Sequence, residues 1–190
     1  TLRVLKAAAK NRVRRVVLTS STAAVASGHP KEKTHFDESD WSISDSPMIG
    51  AYPKSKTLAE KAAWDFVKSS GGDIELVTIN PGYILGPLPD TNARTSGVLV
   101  QSLMEGNIPG LARMHFNAVD VRDVAIAHIA AMTTPEAAGQ RFICLGDSFW
   151  MEDVAKVLKE AYPAYPIKTI VFPSWAVRIV AIFSKEARAT

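Results

Sequence analysis

A chain of 190 residues, 47% hydrophobic and 22% charged, has apolar material for one substantial core and lacks the composition of a disordered polypeptide. Its formal net charge is only +3, and the basic cluster Arg12-Val13-Arg14-Arg15 has no interleaved aromatic residue to stack on bases; it reads as a helix end and loop, and no nucleic-acid partner is expected. One cysteine, Cys144, excludes an intrachain disulfide and a multi-cysteine metal centre, and four histidines without H-x-x-x-H spacing make a zinc site improbable.

The chain opens inside a helical pattern, with Leu2, Leu5 and Ala9 recurring at three and four residues, and closes in the helix-like stretch Lys185 to Thr190, so it is expected to be a fragment. Asn11 is expected to cap the first helix. Arg15-Val16-Val17-Leu18-Thr19 is a β-branched run that predicts a buried parallel strand, with Ser20, Ser21 and Thr22 at its carboxyl end. Those hydroxyls either face a ligand crevice or make a turn and helix cap. The polar stretch from Gly28 to Pro47, containing Asp37-Glu38-Ser39-Asp40-Trp41, is long for a connector and is expected to cover part of a site.

A helix follows from about Tyr52 to Lys68, with Leu58, Ala59, Ala62, Ala63, Phe66 and Val67 inward and Ser69-Ser70-Gly71-Gly72 as its stop. Pro53 is tolerated because it lies in the first turn. Ile74 to Asn80 is a second parallel strand halted by Pro81-Gly82, which completes a strand–helix–strand crossover. From Tyr83 to Asn117 the composition turns to Gly, Pro and polar residues around a short helical pattern, Val98 to Met104. A helix from Val119 to about Met132 begins with Asp120 or Asp123 as N-terminal acid. Phe142 to Leu145 predicts a strand with Cys144 buried, Met151 to Tyr162 a helix, Ile167 to Phe172 an extended segment and Ser174 to Phe183 a helix. Trp150, Trp175 and Phe183 are expected in the core, Arg113 in solvent, and His115 and Met114 either beside a substrate or in a structural role. The longest apolar stretches are broken by charge, as by Arg178, so neither a transmembrane span nor a secretory signal is read and a cytoplasmic location is expected.

Tyr52 and Lys56 stand four residues apart at the start of the second helix, hence on one face. An ammonium beside a phenol stabilises the phenolate left after proton transfer, which suits the pair to general acid catalysis. The spacing alone arises by chance in about a quarter of chains of this composition. Its weight comes from its neighbours: hydroxyls at one strand end and a Pro-Gly turn after the next.

In that order the motifs resemble the extended short-chain dehydrogenase/reductase family, and within it the dihydroflavonol-reductase-like aldehyde and ketone reductases. The matching stretches are Val16 to Ser21, Asp37 to Trp41, Tyr52 to Lys56 with Ala59 to Trp64, Asn80 to Pro87, and Asp120 to Ala125. The resemblance implies an α/β fold, an incomplete Rossmann-type doubly wound parallel sheet with a smaller C-terminal substrate lobe. The dinucleotide-binding part is expected over 1–82 and 117–146, and the substrate lobe over 83–116 and 147–190. It also implies Tyr52 as general acid, Lys56 as the residue that tunes it and binds the nicotinamide ribose, and Ser21 as the holder of the carbonyl oxygen. Thr19, Ser20, Tyr52, Lys56, Pro81, Gly82, Tyr83 and Ile84 would border an NADP or NAD cofactor, NADPH being favoured. The substrate would be a small-molecule carbonyl compound, and the protein a monomer or homodimer without membrane or metal.

Two features depart from the family. No G-x-G-x-x-G turn, which would hold the dinucleotide pyrophosphate at a helix N-terminus, occurs in the chain. No asparagine matches the fourth catalytic residue that some members carry. Alternatives from the same resemblance are a nucleotide-sugar epimerase or dehydratase, though Thr22-Ala23-Ala24 replaces the usual Val-Tyr-Gly, and a 3β-hydroxysteroid dehydrogenase-like enzyme. A non-enzymatic dinucleotide sensor is a third, disfavoured by the presence of both Tyr52 and Lys56.

Overall fold

In the computed structural model, which describes residues 1–70, 74–88 and 95–173, the central element is β2 (Glu75–Pro81). It pairs in parallel with β1 (Arg15–Thr19), Val17 opposite Val77, and with β5 (Arg141–Cys144), Arg141 opposite Thr78, giving the order β1-β2-β5. The pleat sends Leu76, Thr78 and Asn80 to one face and Val77 and Ile79 to the other. On the first face Leu76 packs with Leu5 of α1 (Leu2–Lys10) and Ala63 of α2 (Ala51–Ser69). On the second, Val77 and Ile79 pack with Ala131 of α4 (Val121–Thr133) and with Ala137. A strand covered on both faces buries every residue from Leu76 to Pro81, so the polar Thr78 and Asn80 are buried with the apolar ones. Helices on both faces of a parallel sheet make this a Rossmann-type α/β fold, with β1–α2–β2 as its crossover unit.

This sheet and its helices form one compact unit, Thr1–Gly82 with Arg122–Leu145. A second unit comprises Tyr83–Val121 and the chain from Gly146 onward. Its three-stranded sheet has the order β3-β4-β6, with β3 (Tyr83–Leu85) parallel and β6 (Ser148–Trp150) antiparallel to β4 (His115–Asp120). Leu103 of α3 (Thr95–Met104) and Met151 and Ala155 of α5 (Met151–Ala161) meet Leu111 and Ile167 in its core. Gly110 is needed there, because a Cβ at that position would lie 2.6 Å from the Phe172 ring. Among the described residues no helix is long and apolar enough to cross a membrane.

Several expectations are corrected. β1 is half-buried rather than buried, because it is an edge of the described sheet, with β2 its one strand neighbour there. On α2 the buried residues are Thr57, Glu60 and Ala63, while Leu58 is exposed. The apolar pattern misplaced that face because it gives no weight to a carboxylate that finds internal donors. The fourth helix starts at Val121, not Val119, since Val119 and Asp120 pair with Ile84 and Leu85. Asp123 is its first-turn acid. The expected extended segment from Ile167 to Phe172 needs no correction: it bridges to Leu111 through Val171, short of a full strand. Trp150 is exposed and Cys144 only partly covered. The Gly71-Gly72 stop, the helix from Ser174 to Phe183, and the core placement of Trp175 and Phe183 lie outside the described residues.

Candidate active site

The side chains singled out in the first unit gather where β1 and β2 end. Ser20 follows β1 directly, and its backbone N–H donates to Ile79 O at 2.7 Å, extending the ladder by one bond. Ser21 is the N-cap of a short 3-10 turn (Thr22–Ala24); its Oγ accepts the Ala23 N–H at 3.1 Å. Of the two readings of these hydroxyls, capping is therefore met by Ser21. A hydroxyl that accepts in a cap keeps its own proton to donate, so the cap leaves Ser21 able to serve a carbonyl oxygen. Thr22 Oγ1 donates to Pro81 O at 3.3 Å, joining the two strand ends.

Helix α2 brings up the second group. Gly50 precedes it in extended conformation, and Tyr52 and Lys56 occupy its first two turns. Tyr52 is 59% exposed. Lys56 Nζ lies 3.5 Å from Ser20 O and 6.0 Å from the centre of the Tyr52 ring. The cation thus bridges the helix to the carboxyl end of β1 while staying beside the phenol. In open α/β sheets this end is where ligands bind.

The third residue of the same stripe, Glu60, is buried at 1% exposure and was not singled out for a role from sequence. Its carboxylate accepts from five side chains. Oε2 takes Ser20 Oγ and Asn80 Nδ2, the latter at 2.7 Å. Oε1 takes Arg141 Nε at 2.7 Å, Thr78 Oγ1 at 3.2 Å and Trp64 Nε1 at 3.4 Å. Thr78 and Asn80 reach it because they share the α2 face of β2, and Arg141 lies opposite Thr78 on β5. A signal existed in the sequence: Thr78 and Asn80 are polar at alternate positions of an otherwise apolar strand, and such a pair needs an internal partner.

Arg141 carries the network outward. Its Nη1 donates to the carbonyls of Glu38 and Asp40 at 2.6 and 2.7 Å, and its guanidinium lies 3.8 Å from the centre of the Trp41 ring. Glu38 Oε1 accepts the Ile143 N–H at 3.0 Å. The long loop is therefore clasped to β5. Its other anchor is Ser42, whose Oγ donates to Ala23 O at 2.8 Å and accepts the Ser27 N–H at 2.7 Å.

The remaining candidates are placed as follows. Thr19 Oγ1 is 2.7 Å from His128 Nε2, and His128 Nδ1 sits 2.8 Å from the Val124 carbonyl, to which it donates its proton. Gly82 N–H donates to Cys144 O at 3.1 Å just past Pro81. Cys144 is no activated nucleophile: burial, with the Asp123 charge second, pushes its thiol above the usual range. Tyr83 and Ile84 belong to β3 of the second unit, where burial raises the Tyr83 phenol and its hydroxyl donates to Ser96 O at 3.4 Å. His115 and Arg113 pack on the Trp150 ring, and Met114 packs against the core of the second unit. Asn11 is the C-cap of α1, its Nδ2 donating to Ala7 O at 2.8 Å.

A doubly covered parallel sheet with hydroxyls, a phenol and an ammonium at the carboxyl ends of its strands defines a ligand-binding protein of Rossmann type. The chain belongs to the 3-beta hydroxysteroid dehydrogenase/isomerase family, whose sequence pattern matches residues 1–162, and with it to the short-chain dehydrogenases/reductases that its motifs resemble. Cinnamoyl-CoA reductase 1 of Petunia hybrida is 38% identical over 172 residues, covering 89% of this chain and 51% of that protein. The NADPH-dependent methylglyoxal reductase GRE2 of Saccharomyces cerevisiae is 40% identical over 180 residues, covering 85% and 52%. Among solved structures, yeast Gre2 complexed with NADPH superposes with a TM-score of 0.76 at 34% identity, over 87% of this chain and 54% of that one. Vestitone reductase of alfalfa superposes with a TM-score of 0.70 at 34% identity over the same shares. The chain spans about half the length of the curated relatives it matches.

Proposed function

We propose that the full-length protein reduces a small or aromatic aldehyde or ketone to its alcohol with NADPH, using Tyr52 as general acid. The observation that carries this reading is the Tyr52–Lys56 pair on α2 with the Lys56 ammonium seated on the Ser20 carbonyl. The relatives named as cinnamoyl-CoA and methylglyoxal reductases, and Gre2 with its NADPH, support it by similarity.

The donor set suits the nicotinamide end of such a cofactor. Lys56 offers ammonium protons to a ribose, Thr19 and Ser20 offer backbone at the strand end, and Pro81 and Gly82 close the next strand. It does not suit the pyrophosphate, for which no Gly-rich turn is present in these 190 residues. When bound, the reduced nicotinamide supplies the hydride to the carbonyl carbon. Tyr52 gives its phenolic proton to the carbonyl oxygen, and the Ser21 hydroxyl donates to that oxygen as charge gathers on it. The Lys56 charge stabilises the phenolate until a proton from solvent restores it. The net change is carbonyl, NADPH and one proton to alcohol and NADP.

A second reading, oxidation of a 3β-hydroxysteroid by the same residues in reverse, is favoured by the description of the matching family. A panel of aldehydes, ketones and hydroxysteroids separates the two. In full-length protein, Tyr52→Phe is expected to lower kcat for carbonyl reduction by about 10²- to 10⁴-fold while NADPH binding, followed by fluorescence, persists. Near wild-type turnover would remove the acid assignment.

A further inference from the structure

We infer that Glu60 is a positioning residue for this site, fixing through Ser20 and Asn80 the backbone that presents Ser21 and receives Lys56. The inference rests on the proposed function and extends it from the three reacting side chains to the buried group beneath them.

Tyr52, Lys56 and Glu60 recur every four residues and form one stripe running from the exposed start of α2 to its buried middle. The helix grips residue 20 twice. Glu60 takes the Ser20 hydroxyl, and Lys56, one turn earlier, reaches the Ser20 carbonyl at 3.5 Å. With its N–H on Ile79 O, every polar group of Ser20 is committed. Its side chain is therefore a tether.

Asn80 ties the next residue to the same carboxylate. Its Nδ2 donates to Glu60 Oε2 at 2.7 Å and to Ser21 O at 3.1 Å. Both partners are acceptors, so the orientation of the amide is set by Glu60 and the Ser21 carbonyl being in place. Asn80 Oδ1 is buried without a protein partner, so the amide gives up one acceptor to make these two donations. Glu60 thus holds the main chain on both sides of the Ser20–Ser21 peptide, leaving the Ser21 hydroxyl as the group aimed by it. Arg141 pairs with the buried carboxylate at 2.7 Å, the partner that a charge at this depth requires.

A purely structural Glu60 would alter folding alone, so the test separates stability from turnover in full-length enzyme. Glu60→Gln keeps the size but replaces one acceptor oxygen with a donor amide; Ser20→Ala removes one tether and leaves the Arg141 pair intact. Each is expected to lower kcat by about tenfold to a hundredfold, as for displaced catalytic groups generally, with the KM for NADPH little changed and the protein folded by circular dichroism. The double variant is expected to lose no more than Glu60→Gln alone, because the two act through one bond. Glu60→Asp, shorter but still an acceptor at both oxygens, is expected to recover part of the loss.

Wild-type kcat in a folded Ser20→Ala enzyme, or losses that multiply in the double variant, would overturn the inference. If Glu60→Gln does not fold, Ser20→Ala decides by the same criterion. An active Tyr52→Phe enzyme would sink the proposed function itself, whereas an inactive one beside fully active Ser20→Ala and Glu60→Gln enzymes would sink only the role of Glu60.

Discussion

Arg15 shows how a residue's place in sequence and its physical task diverge. It belongs to a basic cluster that reads as the polar end of the first helix, yet its side chain is 7% exposed and serves a different helix. Nε pairs with Glu75 at 2.7 Å, and Nη1 donates to the carbonyls of Ala131, Met132 and Thr134, the last at 2.6 Å. Nη2 reaches Pro135 O at 3.3 Å. The guanidinium is therefore the C-terminal cap of α4, satisfying carbonyls that the helix cannot. Replacing it with methionine keeps the stem but strands those acceptors and the Glu75 charge. Arg15→Met is expected to cost about 2–4 kcal/mol in urea unfolding, with lysine recovering little because it lacks the planar fork. Arg14, exposed in the preceding turn, is the control: its change to methionine is expected to stay within about 0.5 kcal/mol. Equal shifts in the two midpoints would refute the capping role.

At the scale of elements, the first unit was largely legible because its signals are periodic and local. The runs at Arg15–Thr19 and Glu75–Pro81, the helix between them and the turn after Pro81 each carry their own stop or start. The three strands described in the second unit were not legible. β3 and β6 have three residues each, too few for a period, and His115–Asp120 takes strand form through partners far along the chain. The site divides the same way. Tyr52 and Lys56 are picked out by spacing together with the motifs around them, whereas Glu60 is revealed only when Ser20, Thr78, Asn80 and Arg141 converge on it from separate parts of the chain. The loop from Gly28 to Pro47 was expected to cover a site, and its clasp on Arg141 gives it a fixed course over residues 38–41. It also carries a pH response. The Ser39 hydroxyl and N–H hold Asp37 below the usual carboxylate range, and the Lys33 ammonium does the same for Asp40. Carboxyls more acidic in the closed loop than in an open chain stabilise closure above their ordinary value of about 4 and lose that contribution as pH falls through the lowered values. Protection of the Asp37 and Ser39 amides from hydrogen exchange is therefore expected to drop below about pH 4. Asp37→Asn should abolish that pH dependence at Ser39, and protection unchanged at pH 3 would count against the Asp37–Ser39 turn as its source.

For the whole molecule, the polar groups collected at the strand ends imply a division of labour in holding a dinucleotide. The phosphates carry most of such a cofactor's charge, and the backbone turn that would receive them has no counterpart among the eleven glycines of this chain. What the chain does offer is the Lys56 ammonium fixed on a backbone carbonyl, a capping serine and an exposed phenol, the groups proposed above to meet one ribose and a carbonyl oxygen. Binding strength and turnover should then separate by position. In full-length enzyme Lys56→Met removes a charged hydrogen bond worth about 1.5–3 kcal/mol, so the Kd for NADPH is expected to rise only about tenfold to a hundredfold. The loss in kcat should be at least as large, because the phenolate left by Tyr52 also loses its cation. Titration calorimetry and steady-state kinetics on the one variant measure both. A Kd raised beyond about a thousandfold would mean that phosphate recognition also runs through Lys56, and the division would fail.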